Sequence, residues 1–131
     1  MKSKHYVDNK ELEEVFGAYL AEEDDPVYWE WLCELVYPIC RGVSKKFNCP
    51  NDEELDELTH QAYVLVMDKI KRGMLRYTPG KAPVFNLFTT AIFRLLYTYK
   101  MQQKRKKKKI IRYAYHKNII SKAQLDQLLD F

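Results

Sequence analysis

Apolar residues recur every three or four positions along most of the chain, the spacing that gathers them on one face of a helix. Leu12, Val15, Phe16, Tyr19 and Leu20 keep this rhythm behind Asp8, a helix N-cap, and Glu11 is placed to reach back as in a capping box. The acidic run Glu22-Glu23-Asp24-Asp25 ends the first helix, and Pro26 suits the first turn of a second. That helix carries Trp29, Leu32, Cys33, Val36, Ile39, Cys40 and Val43 towards a core. Pro38 has no N–H to donate and is expected to kink or divide it. Asn51 follows a turn and caps a third helix with Leu55, Leu58, Ala62, Leu65, Val66 and Ile70 on its apolar stripe. Gly73 to Pro83 reads as a loop. A fourth helix starts near Val84 and runs through Phe88, Ile92, Leu95, Leu96 and Tyr99 into Lys104–Lys109. Ser121-Lys122-Ala123-Gln124 has capping-box form and opens a short last helix that ends in Leu128-Leu129-Asp130-Phe131. The pattern predicts an all-α fold. It divides into a compact multi-helix domain over 1–109, with a basic helix extension, and a C-terminal extension over 110–131 holding the short last helix.

Composition narrows the class. At 131 residues, with 47% hydrophobic and 14% aromatic residues, the chain is sized for one packed domain and too apolar for a disordered tail. No apolar run approaches the length of a bilayer span, and the polar start Met1-Lys2-Ser3-Lys4-His5 does not resemble a signal peptide. A cytoplasmic protein without a membrane partner is expected. Cys33, Cys40 and Cys49 lack the spacing of a zinc site, and their odd number argues against a disulfide framework; they are expected as small buried apolar residues. His5, His60 and His116 form no triad or metal pattern, and Gly73 to Gly80 is too poor in glycine for a phosphate loop. Neither an enzyme nor a cofactor is expected.

Charge changes the picture further. Residues 1–70 hold 7 Lys+Arg against 16 Asp+Glu, whereas residues 71–131 hold 15 against 2. A basic half of this kind meets a polyanion while the acidic half faces elsewhere. The richest stretch is Phe85-Asn86-Leu87-Phe88-Thr89-Thr90-Ala91-Ile92-Phe93-Arg94, followed by Tyr97, Tyr99, Lys100 and the run Lys104-Arg105-Lys106-Lys107-Lys108-Lys109. Cations bind phosphate by releasing condensed counterions. Aromatic rings hold unstacked bases at about 1–3 kcal/mol each. A helix carrying both, with threonine hydroxyls between, suits a strand that has left its duplex. Phe85, Phe88, Ile92 and Leu95 also have the spacing of a core stripe, and the cationic run that of a solvated tail.

These residues resemble a known family. Glu57-Leu58-Thr59-His60-Gln61-Ala62-Tyr63, Lys69-Ile70, Tyr77-Thr78-Pro79-Gly80-Lys81 and Phe85-Asn86-Leu87-Phe88 are similar, in order and spacing, to conserved region 2 of bacterial sigma factors over about Leu55 to Arg105. Within the family the chain looks most like the short late-promoter sigma factors of T4-like bacteriophages. Tyr6-Val7-Asp8-Asn9-Lys10-Glu11-Leu12 and Ser44-Lys45-Lys46-Phe47-Asn48 extend that likeness.

The resemblance implies a factor that binds bacterial core RNA polymerase, recognises an AT-rich −10-like promoter element and stabilises the melted non-template strand. It assigns the surface that docks on the coiled coil of the largest polymerase subunit to Glu54, Glu57, Leu58, His60, Gln61, Leu65 and Lys69, with Leu58 and Leu65 also on the core stripe. Promoter DNA falls to Lys81, Phe85, Asn86, Phe88, Thr89, Thr90, Arg94, Tyr97, Lys100, Lys104, Arg105, Lys106, Lys107 and Lys108, with Phe88 beside the flipped base. Two departures stand out. Ala91 and Ile92 replace the paired tryptophans that wedge the upstream duplex edge, which puts unaided melting in doubt, and His60-Gln61 replaces Gln-Glu, which bears on core binding. The chain is too short for the family's C-terminal helix-turn-helix, so the resemblance implies a factor that recognises only a short AT-rich −10-like sequence or needs a co-activator for affinity. The last segment is similar to sliding-clamp-binding peptides, with Leu125, Leu128, Leu129 and Phe131 as anchors; packing of the same leucines on the core is the bland reading. The main rival is a small duplex-DNA-binding regulator that does not engage polymerase, and an RNA-binding adaptor is a third reading.

Overall fold

The computed structural model describes residues 7–22, 25–78 and 82–130. Among them are five helices and no strand: α1 (Asn9–Ala21), α2 (Pro26–Ser44), α3 (Asp52–Lys71), α4 (Val84–His116) and α5 (Lys122–Leu128). No helix among the described residues is long and apolar enough to cross a membrane. Two compact units divide the chain, one ending at Leu96 and the other starting at Tyr97. Position 109, where the pattern suggested a boundary, lies inside α4.

Local chemistry sets the helix starts in the first unit. Asp8, Asp25 and Asn51 are the N-caps of α1, α2 and α3, and each carboxylate or amide oxygen accepts a backbone N–H of the first turn, so an orphan donor is satisfied. Glu11 does not complete a capping box. Its carboxylate instead accepts the indole N–H of Trp31 at 3.2 Å, which ties α1 to α2. Pro38 sits within a continuous α2 and does not divide it. Its missing N–H removes one rung, while Val36, Ile39, Cys40 and Val43 around it are all buried, so packing on the neighbouring helices holds the turn. The end of α3 is a Schellman motif: Gly73 takes a positive φ of 69°, Gly73 N–H donates to Ile70 and Met74 N–H to Lys69.

The core of this unit is built from α1, α2, α3 and the first part of α4. Phe16 is its hub, with the Phe88 ring edge-on at 5.1 Å and Tyr77 at 5.9 Å. Edge-to-face contacts of this kind add about 0.5–1.5 kcal/mol to the burial of the rings. Tyr77 thereby anchors the loop after α3. Burial, then its hydrogen bond with Glu13, raises the Tyr77 pKa. Val84, Phe88, Ile92 and Leu96, one turn apart, form the buried stripe of α4 in this unit. Its first turn is capped from far away in sequence: the Phe85 N–H donates to the Asn9 side-chain oxygen at 2.9 Å. Thr59, fully buried, donates its hydroxyl to the Leu55 carbonyl at 2.7 Å. Arg41 and Asp56 pair at 2.6 Å between α2 and α3, at the surface. Leu20, expected on the core face, is exposed, and Trp29 and Cys33 are half-buried. Trp29 instead stacks on Tyr19 at 5.4 Å and carries the Lys71 ammonium over its ring at 4.5 Å. Cys40 is buried, and burial pushes its thiol up to about 12, while Cys49 is half-buried; all three thiols are free.

The second unit contains the remainder of α4, a turn and α5. Asn118, at φ 59°, ends α4 in another Schellman motif, with Asn118 N–H donating to Tyr115 and Ile119 N–H to Ala114. Asparagine tolerates this left-handed conformation better than other residues with a Cβ. Ser121 and Gln124 complete the expected capping box at the start of α5. Ile111 is the one buried side chain among the described residues of this unit; Ala114, Ile120, Leu125 and Leu129 are half-buried.

Candidate functional site

On α3 the residues singled out for polymerase docking separate by depth. Glu54, Glu57 and His60 are exposed, Gln61, Leu65 and Lys69 are half-buried, and Leu58 lies in the core. Glu57, His60, Val64 and Asp68 recur at intervals of three and four residues and are all exposed, so they form one outward ridge. Glu53 and Glu54 precede it, where carboxylates also favour the positive end of the helix dipole. Val64 is about half exposed in the middle of this acidic ridge, an apolar contact point that sequence reading passed over.

In the first part of α4 the outward residues are Asn86, Thr90, Phe93 and Arg94, opposite the buried stripe. Phe85 and Thr89 are half-buried, and Thr89 spends its hydroxyl proton on the Asn86 carbonyl at 3.1 Å. Phe88, the aromatic expected beside a flipped base, is 0% exposed. Its ring is closed to a base, because the same helical spacing that suggested it also points it at Phe16. The accessible aromatic is Phe93, 44% exposed and stacked on Phe47 at 5.3 Å with the rings 33° apart. Counting from the Val84–Phe88–Ile92–Leu96 stripe puts Phe93 on its flank, about 100° from Ile92, with Thr90 facing directly away.

In the second unit, Tyr97, Lys100, Lys104, Arg105, Lys106 and Lys107 are exposed and Lys108 is half-buried. The whole run Lys104–Lys109 is helical. Successive residues of a helix are about 100° apart, so six consecutive cations point to all sides and form a collar, not a stripe. No aspartate or glutamate occurs from Lys69 to Leu125, so no carboxylate of this stretch offsets the collar. An open concavity of about 270 Å³ runs along α4, lined by Tyr99, Gln102, Gln103, Arg105, Lys106 and Lys109, and Gln103 donates to the Tyr99 hydroxyl at 2.8 Å within it. Further along, the Lys117 ammonium sits over the Tyr113 ring at 5.7 Å. Cations, amides and aromatic rings therefore alternate along this part of α4, and the amides Gln102 and Gln103 are the members that sequence reading did not single out.

On α5, Leu128 is exposed and Leu125 and Leu129 are half-buried. Lys81 and Phe131, assigned to DNA and clamp binding, lie outside the described residues. Among the described residues no group of histidine, cysteine or carboxylate side chains is arranged to hold a metal ion.

No family model matches the chain, and no curated protein or solved structure matches it either. The likeness to sigma region 2 accordingly stands on the motif residues themselves.

Proposed function

We propose that the chain is a sigma-like transcription factor of the phage late type, which binds bacterial core RNA polymerase through α3 and holds an opened AT-rich promoter element along α4. The observation that carries this reading is the division of labour between the two helices. Glu57, His60, Val64 and Asp68 give α3 an acidic ridge with an apolar centre, whereas α4 exposes Asn86, Thr90, Phe93 and Arg94 and then a cationic collar. An acidic, partly apolar ridge suits a protein partner, and a carboxylate-free helix of aromatics and cations suits nucleic acid. The motif residues that resemble sigma region 2 supply these two surfaces in the family's order. The sliding clamp or a co-activator is the expected additional partner, with Leu128 as the accessible clamp anchor on α5.

One observation favours the rival reading. A helix with cations on all sides fits the major groove of a duplex, where phosphates flank it on both edges. Retention of purified core polymerase by the immobilised protein separates the two. Wild type is expected to retain polymerase without DNA, and Glu57→Ala combined with Gln61→Ala to release it. Forked −10 DNA is expected to bind more tightly than the matched duplex. Tight duplex binding with no polymerase retained would establish the stand-alone regulator instead.

A further inference from the structure

We infer that the outward face of α2 docks the part of α4 beyond Tyr97 of a second copy of this chain, with the Trp31 indole seated in the concavity beside Tyr99, Lys106 and Lys109. The inference does not rest on the nucleic-acid reading of α4. It needs only two exposed stripes and their charges.

The first stripe lies on α2. Val27, Glu30, Trp31, Glu34 and Tyr37 are exposed, on the side away from the buried Leu32, Val36, Ile39, Cys40 and Val43. Val27 and Trp31, one turn apart, keep 58% and 42% of their surface in solvent. The Trp31 indole N–H donates to Glu11 at 3.2 Å, so the ring is oriented before any partner arrives and loses little freedom on docking. Glu30 and Glu34, also one turn apart, run beside it. Pro38 has no N–H for the Glu34 carbonyl, which leaves an acceptor without its helical donor in the same turn. From Glu11 to Cys40 the chain holds nine Asp+Glu and no Lys or Arg.

The second stripe lies on α4. Gln103, Lys106, Ile110, Tyr113 and Lys117 recur every three or four residues and are all exposed, Ile110 at 69% and Tyr113 at 61%. The concavity of about 270 Å³ opens on this side, because Gln103 and Lys106 belong to both. Its lining of one phenol ring, two amides and three cations offers an indole both an apolar bed and cation–π contacts.

Large exposed apolar residues bordered by charge mark an interaction surface. The two stripes match each other in kind. Each carries an apolar pair one turn apart, and their charges are opposite: carboxylates beside Val27 and Trp31, ammonium groups beside Ile110 and Tyr113. A polyanion is repelled by the first stripe and leaves the apolar residues of the second uncovered. A second copy supplies the complement of both.

Sedimentation velocity of the full chain over a dilution series tests the contact. At low salt wild type is expected to pass from monomer to larger species as concentration rises, and added salt to reverse the change. Trp31→Ala is expected to weaken association roughly 5- to 30-fold, the range of a desolvated cation–π contact, and Trp31→Phe to weaken it less. Glu30→Lys with Glu34→Lys in one chain, and Lys106→Glu with Lys109→Glu in another, are each expected to abolish self-association. An equimolar mixture of these two chains is expected to restore it, which a misfolded variant cannot do. Wild type that stays monomeric at every concentration at low salt overturns the inference. So does association that survives either charge reversal, and so do reversed chains that fail to pair when mixed.

Discussion

The two units of this chain are made from the same helical secondary structure and hold it in different ways. The part ending at Leu96 buries a full set of side chains around Phe16, among them Leu12, Leu32, Val36, Val66, Phe88 and Ile92. The part from Tyr97 buries only Ile111 among its described residues. Charge runs the opposite way: 12 Lys+Arg against 16 Asp+Glu up to Leu96, and 10 against 2 beyond it. A helix in the first unit is held by tertiary packing. In the second it relies on propensity and end capping, against the mutual repulsion of the Lys104–Lys109 run, and each of these is worth a fraction of what a buried aromatic contributes. The contrast suits the proposed roles, since a surface for a polyanion needs cations to be accessible and therefore cannot bury much.

The largest expected effect breaks the first unit. Phe88→Ala leaves a cavity against Phe16 and is expected to lower stability by about 3–5 kcal/mol, read by urea unfolding. If the loss is instead below about 1 kcal/mol, Phe88 is not the core residue described above.

A chemical probe sharpens the same contrast. Burial raises the Cys40 thiol to about 12 from an ordinary 9.0, which at mild alkaline pH lowers its thiolate fraction roughly a thousand-fold. Alkylation of the native protein is expected to spare Cys40 until this unit unfolds, with the modified sites mapped by mass spectrometry. The sign of the linkage follows from the raised value. The neutral thiol's contribution to stability is complete below pH 9 and is lost as pH rises from there towards 12. Rapid labelling of Cys40 under conditions where the protein is folded contradicts its burial.

Asn9→Ala removes the side-chain acceptor of the Phe85 N–H and is expected to cost about 1 kcal/mol. Hydrogen exchange should show the loss as faster opening of the first turn of α4, with the later part of the helix unchanged. Equal acceleration along all of α4 contradicts a local cap.

Lys104→Glu is the gentlest change. It replaces a like-charge pair with Lys108 by an attractive one and is expected to stabilise that turn of α4 by ~0.3–0.5 kcal/mol at low salt. Added salt should erase the gain, while DNA affinity falls and its dependence on salt becomes shallower. Circular dichroism and binding isotherms across a salt series measure both. An unchanged salt dependence of binding would remove Lys104 from the phosphate contacts.

Much of the fold was legible because its signals are local. Asp8, Pro26, Asn51 and Ser121 announce helix starts, and all four stand where the pattern put them. The core stripes of α1 to α4 follow from spacing in the same way. What escaped was decided by partners distant in sequence. Glu11 has the position of a capping-box residue, but the Trp31 indole is a better use for its carboxylate. Asn9 caps α4 through the N–H of Phe85, 76 positions further along the chain. Pro38 obeys its neighbours' packing and not its own preference. The candidate site was legible as a composition of cations and aromatics on α4, and less so as geometry. Phe88 and Phe93 have the same side chain five residues apart, and only the side of the helix that faces Phe16 distinguishes a core ring from an accessible one.

The collar of Lys104–Lys109 has one consequence for recognition. Its cations leave the helix in several directions, five of them exposed and Lys108 half-buried. A polyanion brought to it therefore meets no single preferred bearing. Such a grip is tolerant and quickly re-formed, but it carries no bearing. Orientation of the bound strand has to come from directional contacts with hydrogen-bonding and stacking groups, and it is those contacts that turn attraction into alignment.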